Sequence, residues 1–278
     1  MREPFTPGVH EGMPAAAYHS VEALSSTFLK RMFSSSALHA QHDREHFEPN
    51  DSMRLGTALH TRILLPELYE CEIAVSPDVD RRTKDGKAAY AEFVAASVDK
   101  TVIDAEDHVA VLGMEEAIRG SNAAETMLEM CSQRELSVFA EDPDTGAPLK
   151  ARLDAYDPET GWILDIKTTR DASLRAFKGA LWGLGYGIGS SFYRKVARLA
   201  DLKVAGFAFL CVENARPHGV AVYAMDDSDM DEFDFEVRRL IADYKVCRSS
   251  NRWPGYPDTI QRIGLAGWAK RQLEEAHG

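Results

Sequence analysis

The sequence predicts a single α/β domain in which a central mixed sheet is flanked by helices. Apolar residues recur at helical spacing through most of the N-terminal half of the chain. From residue 135 onward the chain changes to short segments rich in Val, Ile, Leu and aromatic residues, and the turn sequence Asp-Pro-x-Thr-Gly separates them twice. Helical patterns lie before, between and after these segments, which is typical of an α/β domain.

The first predicted helix follows a Pro-rich N-terminal arm, residues 1–20. Leu24, Phe28 and Met32 recur at helical spacing behind Ser20. Because serine is a preferred N-cap residue, we expect this helix to begin near residue 20.

A second helix is predicted over residues 53–65. It ends before Pro66, because the residue that precedes a proline avoids the helical conformation. It places Gly56 and His60 four residues apart on one helical face. Residues 77–87 are polar and basic and predict a loop. Further helical patterns cover residues 88–98, 105–119 and 122–133.

Three short strands are predicted to form an antiparallel meander after the helical part. They are the segments "ELSVFAE", "PLKARLDAY" and "WILDIKTT", which begin at residues 135, 148 and 162. In each intervening turn, proline presets the backbone and glycine supplies a positive φ. The remaining predicted elements are a long helix at 173–200, strands at 203–213 and 219–226, and a helix at 229–247.

The composition disfavours several classes of protein. The 278 residues are 45% hydrophobic and carry a net charge of -12, which disfavours a generally polyanion-binding surface but allows a local basic groove. Cys71, Cys131, Cys211 and Cys247 form no Cys-x-x-Cys pair, which argues against a zinc ribbon, an iron–sulfur cluster or a disulfide framework. Neither a long apolar run nor an apolar signal region occurs, so we expect a cytoplasmic protein that does not enter a membrane.

Acidic residues and a lysine are predicted to meet in the hairpin formed by the second and third strands. Asp165 and Lys167 point the same way, because side chains alternate along a strand, whereas Ile166 points into the opposite layer. Pairing around the second turn places Asp154 opposite a position near 164, and therefore beside Asp165.

Two neighbouring carboxylates are tolerated if they share a proton or bind a cation. Mg²⁺ binds a few carboxylates together with waters and phosphate oxygens, which suits a phosphodiester substrate. Lys167 could then orient or deprotonate the attacking water, or neutralise charge in the transition state. The alternative is an ordinary cross-strand ion pair between Asp154 and Lys167 on a solvated face. The apolar residues before Asp165 favour a functional site, because charges on a buried strand need a partner.

The pattern of Asp154, a turn and Asp165-x-Lys167 resembles the PD-(D/E)XK nuclease core, and "LDIKTT" is similar to the RecE-type phage exonucleases, the exonuclease VIII family. Other stretches resemble the family in the same order, so the resemblance covers nearly the whole chain: "YHSVEALSSTFLKRM", "LGTALHTRILLPELYE", "RRTKDGK", "TVIDAED", "EDPDTG" and "WAKR". It implies a restriction-endonuclease-like core in a single nuclease domain at 21–278. That domain would comprise a helical part at 21–133, then the catalytic sheet and following helices at 134–278.

The resemblance also implies roles for individual residues. Lys167 would be the catalytic lysine. Mg²⁺, with Mn²⁺ as a possible substitute, would be bound by the main ligands Asp154 and Asp165, by the backbone carbonyl of Ile166, and by His60 and Glu135.

One departure from the family lies in the long helix. The family usually carries Gln there, followed after three residues by Tyr; this chain keeps Tyr193, a further catalytic candidate, but has Gly189 at the Gln position. The helix is either broken there to admit the DNA backbone or its site has drifted. A dinucleotide-binding loop is disfavoured, because Gly183, Gly185 and Gly187 continue a Gly-x-Gly repeat inside a helical pattern.

The function implied by the resemblance is a Mg²⁺-dependent exodeoxyribonuclease. It would digest linear duplex DNA 5′ to 3′ and leave 3′ single-stranded tails for a RecT-like annealing protein, in a bacterial host cell and with a phage or prophage origin. A homo-oligomeric ring, such as a tetramer, is expected by analogy. An endonuclease of the same fold and a catalytically lapsed DNA-binding or assembly protein remain alternatives. Two basic groups could contact DNA: Arg81, Arg82, Lys84 and Lys87, and Lys178, Arg194, Lys195 and Arg198.

Overall fold

The computed structural model describes residues 3–265 and 267–277. The described residues form twelve α-helices and a 3₁₀ turn at Pro66–Leu68. The helices are α1 Ala15–Ser20, α2 Ser26–Ser34, α3 Ala37–Glu45, α4 Asp51–Leu64, α5 Tyr69–Glu72, α6 Lys84–Ala96, α7 Ala105–Arg119, α8 Asn122–Met130, α9 Leu174–Gly183, α10 Tyr186–Leu199, α11 Asp227–Ser250 and α12 Gly267–His277.

Nine strands form two sheets in the described part of the chain. They are β1 Gly8–His10, β2 Leu24–Ser25, β3 Ile73–Val75, β4 Thr101–Ile103, β5 Gln133–Glu141, β6 Pro148–Tyr156, β7 Trp162–Thr169, β8 Gly206–Glu213 and β9 Val220–Ala224. The main sheet has the order β1-β5-β6-β7-β8-β9, and β2 pairs with β6 outside this path. β7 and β8 are parallel, whereas β5, β6 and β7 form the antiparallel meander, so the predicted mixed sheet is confirmed.

Helices cover both faces of the sheet, because successive strand residues enter different cores. On β8, Phe207 and Phe209 pack with α2, α10 and α11, whereas Ala208 and Leu210 pack with α4, α7 and α8. This alternation is the pattern of a strand that is buried on both sides. The fold is therefore a three-layer α/β arrangement with a hydrophobic core on each side of the sheet.

The predicted first helix begins later than residue 20. Ser20 is the last residue of α1, and the N-cap of the next helix is Ser25, whose Oγ accepts a hydrogen bond from the Phe28 N–H. The chain leaves the helical conformation between them because Leu24 and Ser25 pair with β6 as a short parallel strand. The 77–87 loop is also shorter than predicted, since Thr83 caps α6 and places Lys84 and Lys87 in that helix.

The predicted long helix at 173–200 is two helices. Gly185 separates α9 from α10 and adopts the left-handed conformation, with φ +67°. A residue with a Cβ atom is strained in that conformation, whereas glycine is not. The glycine-rich stretch thus breaks the helix beside β7. Within the described residues, none of the helices is both long enough and apolar enough to cross a membrane.

Candidate functional site

The candidate site is built around the peptide group of Ile166, where β6 and β7 separate. The two strands pair through Ala155 with Leu164 and Tyr156 with Ile163. Beyond these pairs, the Oδ2 atom of Asp154 accepts a hydrogen bond from the Ile166 N–H at 2.7 Å. A side-chain carboxylate thus takes the place of a backbone acceptor, and Asp154 lies beside the Asp165–Ile166 peptide, one position from the register the sequence predicts.

Asp165 and Lys167 lie on the α10 side of β7. Their carboxylate and ammonium groups are in direct contact, and both side chains are largely covered. Burial alone would lower the pKa of Lys167, but the charges of Asp165 and Asp154 outweigh it and raise that pKa above its usual value. Lys167 is therefore held as an ammonium group. It also lies 5.5 Å from the centroid of the Tyr186 ring.

His60 reaches the same peptide from α4. Its Nε2 atom is 2.9 Å from the carbonyl oxygen of Ile166, and its Nδ1 atom is 3.6 Å from Oδ2 of Asp154. The Nζ atom of Lys167 also donates to the Ile166 oxygen, at 3.4 Å. The sequence-predicted residues His60, Asp154, Ile166 and Lys167 are thus brought together at one point.

Glu135 joins the group from β5. The pairs Arg134–Ala155 and Leu136–Leu153 flank it, so Glu135 stands opposite Asp154 in the register. Its φ is +48°, a left-handed conformation that costs a residue with a side chain on the order of 1–3 kcal/mol. The Glu135 carboxylate also contacts the Arg152 guanidinium.

These donors fit a divalent metal ion. His60, Glu135 and Asp154 each offer one ligand atom, and the three atoms all lie within 4.8 Å of one another. Burial raises the pKa of Asp154 to about 6, and the charge of Asp165 adds to this effect although His60 opposes it. A cation would offset the burial of this carboxylate. Carboxylate and carbonyl oxygens suit Mg²⁺ or Mn²⁺, whereas the imidazole suits softer metals better than Mg²⁺. Asp165, predicted as a main ligand, lies outside this three-residue group and contacts Lys167.

A pocket beside Asp165 and Lys167 contains Tyr193 and Gly189. Burial and the nearby carboxylates of Asp165 and Asp154 raise the pKa of Tyr193 far above its usual value, so its hydroxyl stays protonated. Lys30, which is absent from the predicted site residues, also lines this pocket. The local feature of the sequence that could have indicated a role for Lys30 is its position four residues after Ser26, on the same face of α2. The lining residues are Ser26, Lys30, Asp165, Lys167, Tyr186, Gly189, Ser190, Tyr193 and Phe209.

Six of the eight basic residues predicted to bind DNA are exposed: Arg81, Arg82, Lys84, Lys87, Lys178 and Arg198. Arg81 and Arg82 lie in the loop before α6, where Arg82 pairs with Asp80 at 3.1 Å and the Arg81 guanidinium lies 4.7 Å from the centroid of the Tyr90 ring. Lys84 lies at the start of α6 and Lys178 lies on α9. Their contact with DNA stays a prediction.

Arg194 and Lys195 face carboxylates of the fold, contrary to the expectation of a DNA-binding surface. Arg194 is 3% exposed and pairs with two carboxylates of α11, Asp231 at 2.9 Å and Asp234 at 3.0 Å. Lys195 pairs at 2.9 Å with the buried Asp142. Arg194 and Lys195 therefore stabilise the fold through ion pairs, whereas Arg198 of the same helix and Lys178 of α9 are exposed.

The family model described as "PDDEXK-like domain of unknown function (DUF3799)" matches residues 25–264. A comparison with curated proteins finds no match.

Two of the solved structures that are similar to this chain have titles that name an exonuclease. One is titled "Putative exonuclease", from Eubacterium rectale; it has a TM-score of 0.59 and 10% identity, over 92% of this chain and 97% of that chain. The other is a phage-related exonuclease from Haemophilus somnus 129PT, with a TM-score of 0.35 and 13% identity, over 82% of this chain and 96% of that chain. At such identities the first likeness concerns the fold alone, and the second is too weak to support an inference.

The family match agrees with the site. It begins at the N-cap of α2 and extends through all the strands that carry the candidate site residues. The resemblance to the PD-(D/E)XK core is thereby confirmed. The match covers most of the chain, and the protein therefore belongs to the PDDEXK-like domain family DUF3799.

Proposed function

We propose that this protein is a Mg²⁺-dependent exodeoxyribonuclease of the RecE type. It digests linear double-stranded DNA 5′ to 3′ and leaves 3′ single-stranded tails. The observation that carries this proposal is the convergence of His60, Asp154 and Lys167 on the Ile166 peptide, in a chain of the PDDEXK-like family. Glu135 lies beside them, with a carboxylate oxygen within 4.8 Å of ligand atoms of His60 and Asp154.

The residues of the candidate site would have two roles in the reaction, metal binding and contact with the phosphate. His60, Glu135, Asp154 and the Ile166 carbonyl would hold the metal ion, which supplies Lewis-acid chemistry and activates a water for attack on a phosphodiester. Lys167 would face the phosphate as an ammonium group, because its raised pKa keeps it protonated near neutral pH. This favours charge neutralisation in the transition state over deprotonation of the water by Lys167.

The expected setting of the reaction follows the family resemblance. A RecT-like single-strand annealing protein would take up the 3′ tails. A ring of identical subunits, such as a tetramer, would keep the enzyme on one DNA end. Mn²⁺ would substitute for Mg²⁺, since carboxylate and carbonyl oxygens suit both ions.

The test compares linear duplex DNA with covalently closed circles of the same sequence, in Mg²⁺, Mn²⁺ and EDTA. We expect release of nucleotides from linear DNA only, dependent on metal, and faster from 5′-labelled than from 3′-labelled ends. Lys167→Ala is expected to lose at least about 100-fold in rate, because charge stabilisation at a transferring phosphate is worth several kcal/mol. No metal-dependent hydrolysis by the unmodified protein would refute the proposal.

Two other outcomes define the alternatives. Cleavage of closed circles would indicate an endonuclease of the same fold. DNA binding without hydrolysis would indicate a catalytically lapsed DNA-binding or assembly protein, an alternative favoured by the presence of Gly189 where related nucleases carry a glutamine.

A further inference from the structure

Lys30 extends from α2 into the pocket beside Asp165 and Lys167. It is partly buried, and α2 positions it through the capping serine Ser25 and through the buried neighbours Phe28 and Leu29 on the core side of the helix. Lys30 is thus a second lysine directed at the candidate site, supplied by an element far from β7 in sequence.

Two glycines make room for the Lys30 side chain. A Cβ atom at Gly185 would lie 3.2 Å from Cγ of Lys30, and one at Gly189 would lie 3.5 Å from its Cδ. A longer side chain at either position would meet the aliphatic stem of the lysine. The start of α10 therefore provides a bare backbone surface along which Lys30 reaches the pocket.

The Lys30 ammonium has no carboxylate partner within ion-pair distance among the residues that the structure describes, and Asp165 already contacts Lys167. Both ammonium groups lie near one aromatic ring: Lys30 is 5.9 Å and Lys167 is 5.5 Å from the centroid of the Tyr186 ring. Two like charges in a partly buried pocket repel, and an anion placed between them offsets that repulsion. Ser26, Ser190 and Tyr193 add hydroxyl groups to the pocket wall.

We propose that Lys30 is a phosphate-contacting residue of this site, whose ammonium group binds a phosphate oxygen of the DNA strand next to the phosphate held at Lys167. This inference rests on the proposed function for the identity of the substrate. Lys30 binds the DNA in the ground state as well as in the transition state, so it contributes to affinity even when no bond is cleaved.

The first experiment measures binding without hydrolysis. A short linear duplex is titrated with the full-length protein in Ca²⁺ instead of Mg²⁺, at several salt concentrations, and a gel checks that the duplex stays intact. Lys30→Met keeps the aliphatic stem over Gly185 and Gly189 and removes only the charge. We expect the slope of log affinity against log salt to fall by about 0.7–0.9, the value for one lost phosphate contact.

Matched variants separate this role from a structural one. Lys30→Arg is expected to keep the salt slope, because it keeps the charge. Lys245→Met, which removes an exposed lysine of α11, is expected to change neither the slope nor the melting temperature. Lys30→Met is also expected to be at least as stable as the unmodified protein, since a covered ammonium without a carboxylate partner costs free energy. A purely packing lysine would instead show unchanged DNA binding in Lys30→Met.

The second experiment measures hydrolysis of linear duplex in Mg²⁺. Lys30→Met is expected to lower kcat/KM by about 10- to 100-fold, the loss expected for one hydrogen bond to a charged group. An unchanged salt slope in Lys30→Met overturns the proposal, whatever the unmodified protein hydrolyses. A reduced slope in a protein that hydrolyses nothing supports Lys30 as a phosphate contact and refutes the proposed nuclease function. Failure of the unmodified protein to bind DNA refutes both.

Discussion

Asp154 has a structural as well as a chemical role at the residue scale. Its carboxylate replaces the missing backbone acceptor for the Ile166 N–H, and the same oxygen faces His60. Ile166 itself is fully buried. The residue that would bind the metal therefore also holds the two strands at the point where they separate.

The structural role of Asp154 predicts a difference between two substitutions. In the metal-free protein, Asp154→Ala leaves the buried Ile166 N–H without an acceptor, whereas Asp154→Asn can offer an amide oxygen. We expect Asp154→Ala to be less stable than Asp154→Asn by about 1–3 kcal/mol, measured by urea unfolding in EDTA. Equal stability of the two variants would show that the hydrogen bond from Ile166 contributes nothing.

The pKa of Asp154 predicts how metal binding depends on pH. Burial raises this pKa to about 6, above the usual value of 3.8. Between pH 3.8 and about 6, Asp154 is mostly protonated in the folded state and mostly ionised in the unfolded state. Protonation of Asp154 therefore stabilises the metal-free fold as the pH falls through this range. A metal ion needs the carboxylate and competes with that proton.

We therefore expect Mg²⁺ or Mn²⁺ to raise the melting temperature at about pH 8 and to lose this effect as the pH falls below about 6. Thermal unfolding with and without metal across this range measures it. Asp154→Asn serves as the control and should show little metal-induced rise at any pH. If the metal ion raises the melting temperature as much at about pH 5 as at pH 8, the proton does not compete with the metal ion for Asp154.

At the element scale, the break between α9 and α10 determines how the pocket is lined. Gly185 adopts a left-handed φ, and α10 then begins with Tyr186, whose ring faces both lysines of the pocket. A continuous helix would place Tyr186 differently relative to β7. The glycine-rich stretch thus positions side chains and does not merely weaken a helix.

Two glycine substitutions test this explanation. Gly185→Ala introduces a Cβ atom in a left-handed conformation, at a cost of about 1–2 kcal/mol, and brings it to 3.2 Å from Lys30. Gly179 lies inside α9 with open space around it, so Gly179→Ala should stabilise by up to about 1 kcal/mol. In chemical denaturation, we expect the free energy of unfolding to fall in Gly185→Ala and to rise in Gly179→Ala, relative to the unmodified protein. If Gly185→Ala also stabilises the protein, position 185 does not require a glycine in the left-handed conformation.

At the scale of the whole molecule, the N-terminal arm is part of the fold. β1 pairs with β5 at one edge of the main sheet. The buried Lys150 of β6 donates from Nζ to the carbonyl oxygens of Tyr18 at 3.1 Å, His19 at 3.2 Å and Val21 at 2.7 Å. One ammonium group therefore satisfies three backbone acceptors and fastens the arm to the sheet.

Lys150→Met should detach this arm. The methionine retains apolar volume but removes the ammonium donor that the three carbonyl groups share, although those of Tyr18 and Val21 also accept a backbone N–H. We expect a loss of more than about 2 kcal/mol in the free energy of unfolding. We also expect faster cleavage by chymotrypsin after Phe5 and Tyr18 of the arm, measured by mass spectrometry of the fragments. Lys178→Met, on the exposed face of α9, is the control and should change stability by less than about 0.5 kcal/mol. An arm that remains protected in Lys150→Met would refute the role of this lysine.

The sequence alone was sufficient for the parts of the molecule that depend on local chemistry. Two Asp-Pro-x-Thr-Gly turns indicate the meander, and the alternation along β7 directs Asp165 and Lys167 to the same side. Turn preference and strand alternation are properties of a few consecutive residues. Local patterns gave a wrong result where long-range strand pairing overrides them. The helix predicted to begin near Ser20 begins later, because β2 pairs with β6 far along the chain.

Tertiary structure decided which charged residues share the pocket. Lys30 and Gly189 lie 159 positions apart, yet α2 and α10 pack the lysine stem over the glycine. The sequence predicts a basic surface at Arg194 and Lys195. Their carboxylate partners lie in other segments, Asp231 and Asp234 in α11 and Asp142 in the turn after β5. Charge and spacing along one segment do not reveal its partners, because these contacts exist only once distant segments are folded together.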